Sequence, residues 1–461
     1  CSGMTTNRDD IERIHETSLA LLADPGVRIE HDAISGRLLS AGAKPGVDAQ
    51  VIRFPRELVA ECLAQAPPVV HYADRRGGGY DVGGGRPTRV WSPPGLNLLR
   101  HGVHRPFASG DLADCARLLD ALDSVDGVFG LALDDVPPGA RDVVGLRILA
   151  ANTTKHVRVL SFTPEGADAL CAMKDAVSDG PWFSVGFTAH GPLRWTHLAL
   201  EIFRRTAGRG IPVTVNGEPT AGASGPVTLA GSAAVGNAEI LAGIVVNQVL
   251  EPGRPCVHNL GLAHTLDMKT AVAVTGGPEN HLFAQLGAQL ARLYNLPSCS
   301  WVSTESMCVD AQAALEKAFG FATHFDAGVS LVWGAGQLES EMTFSPAQAV
   351  IDDEMVAYVR RLERGVAVTD DTLALDLVRE VGIGGSFLDA EHTLAHFRDA
   401  LWEPGVLWRE RRAKWSGLTL AERAETRADE LIAAERAPCI TREQEKALVD
   451  IETDFLKRMK R

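Results

Sequence analysis

The sequence predicts a (β/α)8 barrel of the TIM type, with helical extensions at both ends. Apolar runs of strand length alternate strictly with helical patterns over residues 88–365. Eight strands and eight helices fit this range, at the spacing that the eight β/α units of such a barrel require. No G-x-G-x-x-G motif follows a strand and no linker interrupts the series, so two doubly wound domains are the disfavoured alternative.

Residues 4–87 form the first predicted region, an extension of helices followed by a hairpin. The first helix must end at the Asp-Pro-Gly sequence at 24–26, because proline and glycine terminate helices. Two shorter helices are predicted at 33–41 and 55–66, and the glycine-rich segment 77–85 indicates a hairpin. We expect this extension to pack against the barrel.

The barrel is predicted over residues 88–365. Its strands are expected near 88–92, 127–133, 156–162, 183–188, 211–215, 255–260, 297–302 and 328–333. Its helices are expected near 110–122, 139–151, 165–177, 194–207, 227–250, 269–294, 310–325 and 346–364. The last region, residues 366–461, is predicted to be helical and to cap the barrel or pair with a second subunit.

The composition excludes several classes of function. With 45 basic and 59 acidic residues the formal charge is −14, and no basic patch stands out. Binding to nucleic acid or to an anionic membrane surface is therefore disfavoured. A negative surface suits a cationic substrate or a partner protein with a basic patch.

The eight cysteines include no C-x-x-C pair and no zinc-finger spacing, which predicts free thiols in a reducing cytoplasm. We find no signal peptide and no run of about 18 apolar residues that could span a membrane. The three residues before Met4, Cys1-Ser2-Gly3, are interpreted as a non-native addition.

Polar and aromatic residues gather at the predicted carboxyl ends of the strands, where (β/α)8 barrels carry their active sites. Each residue alone has an ordinary structural explanation, as a packed aromatic ring or as a cap of the next helix. Their convergence on one face indicates a site. The candidates are Trp91, Phe162, His190, Asn216, Glu218, Asn259, Trp301 and Trp333.

Several strings resemble the trimethylamine methyltransferase family, which transfers a methyl group from an amine to a corrinoid protein. The strongest are GPVTLAG at 225–231 and NAEILAGIVVNQVLEPGRP at 237–255. Others are IHETSLALLADPGVRI at 14–29, DMKTAVAVTGGPE at 267–279, VDAQAALEKAFG at 309–320 and FLDAEHTLAHFRDALWEP at 387–404. The resemblance covers nearly the whole chain and implies a methyltransferase.

The resemblance also implies a branch of that family. Members that act on trimethylamine contain pyrrolysine, whereas this chain has only the twenty standard residues. The branch without pyrrolysine demethylates quaternary amines, in the manner of glycine betaine methyltransferase. The acceptor would be cob(I)alamin on a partner corrinoid protein, and the chain itself would bind no cofactor and no metal. The residue that replaces pyrrolysine is left unassigned.

Quaternary ammonium chemistry gives the candidate residues roles. Such a cation cannot be hydrogen-bonded, but aromatic faces attract it by about 2 kcal/mol or more when it is desolvated. A carboxylate can balance its charge, and hydrogen-bond donors can hold the carboxylate of a betaine. The predicted catalytic residues are Glu218 and His190, and the predicted substrate-binding residues are Phe162, Asn216, Asn259, Trp301 and Trp333.

Three other functions stay open at this point. A trimethylamine-type methyltransferase is the nearest to the favoured one. A metal-dependent barrel hydrolase would need an H-x-H pair on its first strand, and none of the 14 histidines forms one. A barrel that binds betaines without turnover is the non-enzymatic possibility. A homo-oligomer is the predicted assembly.

Overall fold

A closed barrel of eight parallel strands lies at the centre of the computed structural model, which describes residues 7–460. Strands β1–β8 are Arg89–Trp91, Gly127–Phe129, His156–Arg158, Phe183–Thr188, Val213–Asn216, Cys256–Gly261, Ser298–Trp301 and Leu331–Trp333. Each strand pairs with the next along the chain, and β8 pairs with β1. The predicted barrel is therefore confirmed. The interpretation of Cys1-Ser2-Gly3 lies outside the described residues.

One helix follows each strand. Helices α1–α8 are Ser109–Ala121, Arg141–Asn152, Pro164–Val177, His197–Thr206, Leu229–Leu250, Pro278–Leu293, Ala311–Asp326 and Pro346–Glu363. The predicted strand 127–133 is too long, because Leu131 and Leu133 are buried in the loop after β2 and not in the sheet. The predicted helix 269–294 begins only at Pro278, since proline favours the first turn of a helix.

The N-terminal region covers the outer face of α5. Its helices are Arg8–Ala23, Asp32–Ser40 and Arg56–Gln65, and all three pack on α5. Because α5 is enclosed on both sides, it is apolar all round. By length and composition it is long and apolar enough to cross a membrane, so the prediction that no such run exists was wrong. Its burial identifies it as a core helix of the barrel.

A hairpin of strands Val69–Ala73 and Gly79–Gly83 fills the amino end of the barrel. The ring of Tyr72 packs edge-on against Trp91 and His156, at 4.9 and 4.7 Å between ring centroids. The glycine-rich segment is thus a hairpin, as predicted, and its physical role is to close the barrel interior at the end opposite the strand termini that carry sites.

Short strands of the connecting loops add three further sheets. One sheet has the strand order Arg194–Trp195, Val27–Ile29, Val51–Arg53 and Lys44–Pro45, so that only Val27–Ile29 pairs with the strand of the loop after β4. The loops that follow the barrel strands form the other two sheets. Their strands are Asn97–Arg100, Val103–Pro106, Gln337–Leu338 and Thr343–Phe344 in one, and Thr220–Ala221, His264–Leu266 and Ala273–Val274 in the other. The sequence pattern did not predict them, because strands of two to four residues carry too few positions to show a period.

The C-terminal region is helical, as predicted. Leu420–Ala433 packs on α8 and α1, and Arg442–Met459 packs on α3 and α2. Before them in the chain, the helices Asp370–Leu373, Leu375–Val381 and Glu391–Ala400 bury no residue. Two single turns of 3-10 helix, Pro138–Ala140 and Arg412–Lys414, complete the described elements.

Candidate active site

A row of polar side chains crosses three neighbouring strands at their carboxyl ends. Thr188, Asn216 and Asn259 are register partners on β4, β5 and β6. The Asn216 amide donates to Thr188 Oγ1 at 3.0 Å, and the Asn259 amide donates to Asn216 Oδ1 at 2.9 Å. Asn259 Oδ1 is buried and has no protein partner. Since a buried acceptor needs a donor, this row is completed only by a ligand or by water.

Two tryptophans form the aromatic part of the same face. Trp301 and Trp333 end β7 and β8 as register partners, with 2% and 4% of their surface exposed. Phe129 on β2 meets the Trp333 ring edge-on at 4.8 Å between centroids. Both indole N–H groups are buried without a partner. The structure therefore brings Trp301, Trp333, Asn216 and Asn259 to one end of the barrel. This agrees with the strand-end rule, by which residues at the carboxyl ends of the strands meet on one face of the barrel.

Trp91 does not belong to this face. It ends β1, but its indole N–H donates to the Tyr80 hydroxyl and its ring stacks on His156 at 5.5 Å. Both neighbours lie toward the amino end of the barrel, so the expectation that three tryptophans converge on the site was wrong for Trp91. The tilt of barrel strands displaces the end of one strand along the axis relative to another, which the strand-end rule ignores.

Arg158, at the end of β3, is a buried cation that sequence reasoning missed. Its guanidinium lies in the barrel interior, 5.4 Å from the centroid of Phe129 and 5.9 Å from that of Trp333. Nη1 donates to the Val159 carbonyl at 2.6 Å, and Nε has no partner. Desolvation lowers the pKa of Arg158 to about 10, so the group stays charged near neutral pH.

The path of Arg158 across the barrel depends on a glycine. A Cβ atom at Gly186 on β4 would overlap Arg158 Nη2. The guanidinium therefore lies against the bare backbone of β4. Among the described residues, the ionisable groups that interact with its charge are Tyr72, Cys299 and His156, and none of them is a carboxylate.

Three carboxyl groups lie beyond the strand ends, in the loops and on α5. Burial raises the pKa of Glu218, in the loop after β5, to about 7. Burial, together with the charge of Glu218, raises the pKa of Glu239 on α5 to about 7 and that of Glu341, after β8, to about 8. Glu239 and Glu341 therefore both lie close enough to Glu218 for its negative charge to raise their pKa values. Only Glu218 was predicted, and such a set is stabilised by a cation.

Glu239 is placed by the loop after β4. Its Oε1 accepts from the Leu193 N–H at 2.8 Å, and Oε2 is buried with no partner. Glu341 is placed by an unusual backbone, because Glu339, Ser340 and Glu341 have φ values of 55°, 51° and 73°. Non-glycine residues avoid this left-handed region, so the surrounding contacts must hold the segment in it.

Glu305, after β7, supplies one of those contacts and links three loops. One carboxylate oxygen accepts from the backbone N–H groups of Thr275 and Gly276, at 2.6 and 2.8 Å. The other accepts from the Ser340 hydroxyl. The loops that follow β6, β7 and β8 are thereby tied together next to the strand ends.

A buried ion pair fixes the loop after β8. Lys317 on α7 and Asp352 on α8 are both fully buried, with Nζ 2.7 Å from Oδ2. Lys317 also donates to the Gly334 and Gln337 carbonyls, at 2.8 and 2.9 Å. Asp352 accepts from the Gly336 N–H at 2.7 Å. The loop that begins directly after Trp333 is therefore held from both sides.

The remaining two predicted residues lie outside the buried set. His190 is exposed after β4, where its backbone N–H donates to the Arg194 carbonyl and closes a turn. Phe162 is half-buried in the loop between β3 and α3, and its N–H donates to Asp142 at 3.1 Å. Neither contact places the side chain against the tryptophans.

Two groups among residues 7–460 have the ligand atoms to hold a metal ion: Asp371, His392 and His396, and His101, Glu425 and Asp429. No residue of the barrel site belongs to either group. Both are exposed or half-buried, and the second lies where the helix Leu420–Ala433 meets the loop after β1.

The fold and the site together define the class of protein, a (β/α)8 barrel with buried ionisable groups at the strand ends, as in barrel enzymes. The chain belongs to the trimethylamine methyltransferase family, whose sequence profile matches residues 4–461. The resemblance drawn from the sequence strings is thereby confirmed.

Three relatives illustrate the match. The trimethylamine methyltransferase of Desulfitobacterium hafniense DCB-2 is 32% identical over 405 residues, 85% of this chain and 81% of the relative. That of Methanosarcina barkeri is 30% identical over 403 residues, 84% of this chain and 81% of the relative. The glycine betaine methyltransferase of D. hafniense Y51 is 27% identical over 440 residues, 92% of this chain and 91% of the relative.

A solved structure shares the fold. The monomethylamine methyltransferase of M. barkeri superimposes with a TM-score of 0.55 at 12% identity, covering 98% of this chain and 88% of that one. At this level of identity the comparison supports the architecture alone.

Proposed function

We propose that this protein transfers a methyl group from a quaternary amine, glycine betaine or a close relative, to cob(I)alamin on a partner corrinoid protein. The observation that carries the proposal is a set of three carboxyl groups without a cationic partner, the fully buried Glu239 and the half-buried Glu218 and Glu341, at the end of the barrel that carries Trp301 and Trp333. This set suits a desolvated cation. The family and the absence of pyrrolysine supply the reaction class.

The reaction needs little acid–base chemistry from the protein. As the methyl carbon bonds to cobalt, the C–N bond breaks and its electron pair stays on nitrogen. A quaternary nitrogen then leaves as a neutral tertiary amine, with no proton required. The residues described here would hold the ammonium, balance its charge and exclude water, so that the methyl group faces the incoming acceptor.

Trimethylamine is the second candidate substrate. The relatives of 30% identity or more given above bear that name, whereas the glycine betaine relative is 27% identical over a longer stretch. The test is a demethylation assay with free cob(I)alamin and each amine in turn. Methyl transfer from a quaternary amine supports the proposal, and transfer from trimethylamine alone supports the second candidate.

The tryptophans give a first mutational prediction. Trp301→Leu and Trp333→Leu should each weaken binding of a quaternary ammonium by about 2 kcal/mol, because each removes a desolvated cation–π contact. Isothermal titration measures the loss. Leucine is chosen over alanine because both rings are packed, and a large cavity would destabilise the fold.

Trp182→Leu is the matched control for these variants. Trp182 is also fully buried and also lies under an arginine, Arg75, at 4.6 Å. It precedes β4, at the amino side of the barrel. Its loss should lower stability by a similar amount and leave ligand affinity unchanged. Equal affinity losses in all three variants would show that the effect is one of general destabilisation.

The assembly and compartment remain proposals. We infer a homo-oligomer from the segment 364–419, in which no residue is buried although many are large and apolar. Ile383, Leu388, Val366 and Leu394 are each more than 70% exposed. Such surfaces are typical of protein interfaces, and a measurement of the molecular mass in solution tests whether the protein is an oligomer.

A cytoplasmic location is proposed from the cysteines, because all seven described ones are unpaired.

A further inference from the structure

The barrel site contains two separate sets of charged groups without a partner of opposite charge, which we call its two poles. The guanidinium of Arg158 has no carboxylate near it, and its Nε has no partner. The carboxyl groups of Glu218, Glu239 and Glu341 have no cation among their ionisable neighbours. If the two sets could reach each other they would pair, since burying either charge alone is unfavourable. Within the described residues they remain apart.

The two poles lie at different depths. Arg158 is in the interior, above Tyr72 of the hairpin that fills the amino end and beneath the faces of Phe129 and Trp333. The carboxyl groups lie in the loops and on α5, beyond the strand ends. A ligand that satisfies both must therefore carry an anion at its inner end and a cation at its outer end.

We propose that Arg158 binds the carboxylate of the substrate, so that this site selects zwitterionic betaines over quaternary amines that lack a carboxylate. The inference rests on the proposed function and narrows it to one substrate class. A guanidinium with free N–H groups matches a carboxylate in geometry and charge. A ligand that offers only an ammonium and a hydroxyl group provides no such partner for the guanidinium. This assignment makes Arg158, which was not among the residues predicted from the sequence, the principal donor to the carboxylate.

The orientation that results is consistent with methyl transfer. With the carboxylate on Arg158, the trimethylammonium group points toward the strand ends, Glu218 and the tryptophans. The methyl groups then face the loops, the side from which a partner protein approaches a (β/α)8 barrel site. The reverse orientation would bury the methyl groups against the guanidinium and place two like charges together.

Four small ligands separate the two charges. Glycine betaine has both, choline has only the cation, 3,3-dimethylbutanoate has only the carboxylate, and 3,3-dimethylbutan-1-ol has neither. The parent should bind betaine at least about tenfold more tightly than choline, since a hydrogen-bonded ion pair of this kind is worth that factor. In Arg158→Gln the ratio should fall toward one, as measured by isothermal titration of the full chain.

A structural role for Arg158 predicts something else. Removing an unpaired buried charge deprives no carboxylate of its partner, so the ligand-free Arg158→Gln protein should melt no lower than the parent. Gly186→Ala is a second variant, which keeps the arginine but displaces its guanidinium. It should lose the same preference. Arg75→Gln is the matched control, because Arg75 likewise has buried nitrogens without a partner but packs on Trp182 outside the barrel.

Three outcomes would overturn the proposal. Retention of the betaine preference in both Arg158→Gln and Gly186→Ala rejects Arg158 as the carboxylate site. Equal binding of betaine and choline by the parent rejects the substrate class, while methyl transfer from choline would leave the proposed function standing. Failure of the parent to bind any quaternary amine rejects both. Loss of the preference in Arg158→Gln and its retention in Arg75→Gln support the assignment.

Discussion

Replacing Lys317 by methionine is expected to lower the free energy of unfolding by about 3–5 kcal/mol, because Asp352 is left as a buried charge without its partner. The substitution also removes the two hydrogen bonds that hold the Gly334 and Gln337 carbonyls. Urea unfolding of parent and variant measures the difference. The loop after Trp333 should lose its fixed position, so ligand affinity should fall as well.

Two further variants isolate the cause. The double variant K317M/D352N should recover part of the loss, since a neutral amide is cheaper to bury than a carboxylate and still offers an acceptor to Gly336. Arg427→Gln, which removes an exposed pair with Glu430, should change stability by less than about 1 kcal/mol. If Lys317→Met unfolds at the parent's urea concentration, the pair does not stabilise the fold.

Glu218→Gln should weaken binding of a quaternary ammonium by about 2–5 kcal/mol, because it removes one charge of a buried pair while keeping the side chain's shape. Binding of the uncharged isostere 3,3-dimethylbutan-1-ol should be unchanged. Glu201→Gln is the matched control, since Glu201 is also buried but pairs with His31, Arg204 and Arg205 on the outside of the barrel. An equal loss of affinity in both variants would remove Glu218 from the site.

The same carboxyl groups predict the pH dependence of binding. Below their pKa values of about 7, 7 and 8, Glu218, Glu239 and Glu341 are neutral and attract a cation weakly. Affinity for choline should therefore rise from about pH 6 to about pH 9, where all three groups are ionised, and then level off. Affinity for 3,3-dimethylbutan-1-ol should stay constant across this range, and in Glu218→Gln the rise for choline should be smaller.

Stability of the ligand-free protein should move in the opposite direction. For Glu218, the pKa of about 7 in the folded state lies above its ordinary value of 4.5. The folded state therefore binds more protons than the unfolded state between these values, and stability falls as the pH rises through this window. A bound cation offsets the loss. Because buried histidines also contribute to the pH dependence, the parent is compared with Glu218→Gln: an equal change of melting temperature from pH 5 to pH 8 in both ligand-free proteins would contradict this linkage.

The sequence was sufficient for the barrel because local periods determine its elements. The helix α5 and the flanking strands β5 and β6 appear as long apolar runs bounded by proline and glycine. The strand-end rule then placed Asn216, Asn259, Trp301 and Trp333 at one end of the barrel. This rule fails where the strand tilt matters, as at Trp91, and where a turn exposes the side chain, as at His190.

The missed residues depend on contacts between distant parts of the chain. Arg158 looks like any polar residue at the end of a short strand, and its position follows only from Gly186, Phe129 and Trp333 on other strands. Glu239 lies in the middle of α5, where the pattern gives no reason to single it out. Glu341 lies in a loop whose path is fixed by Glu305 and by a left-handed backbone, neither of which has a local signal.

The most direct test of the central claim is the transfer of one methyl group from glycine betaine to cob(I)alamin by this protein. We predict loss of the cob(I)alamin absorption with formation of methylcobalamin and dimethylglycine in equal amounts. Choline and trimethylamine, assayed beside it, should be poorer donors. If no quaternary amine is demethylated while trimethylamine is, the argument from the charge of the leaving group fails.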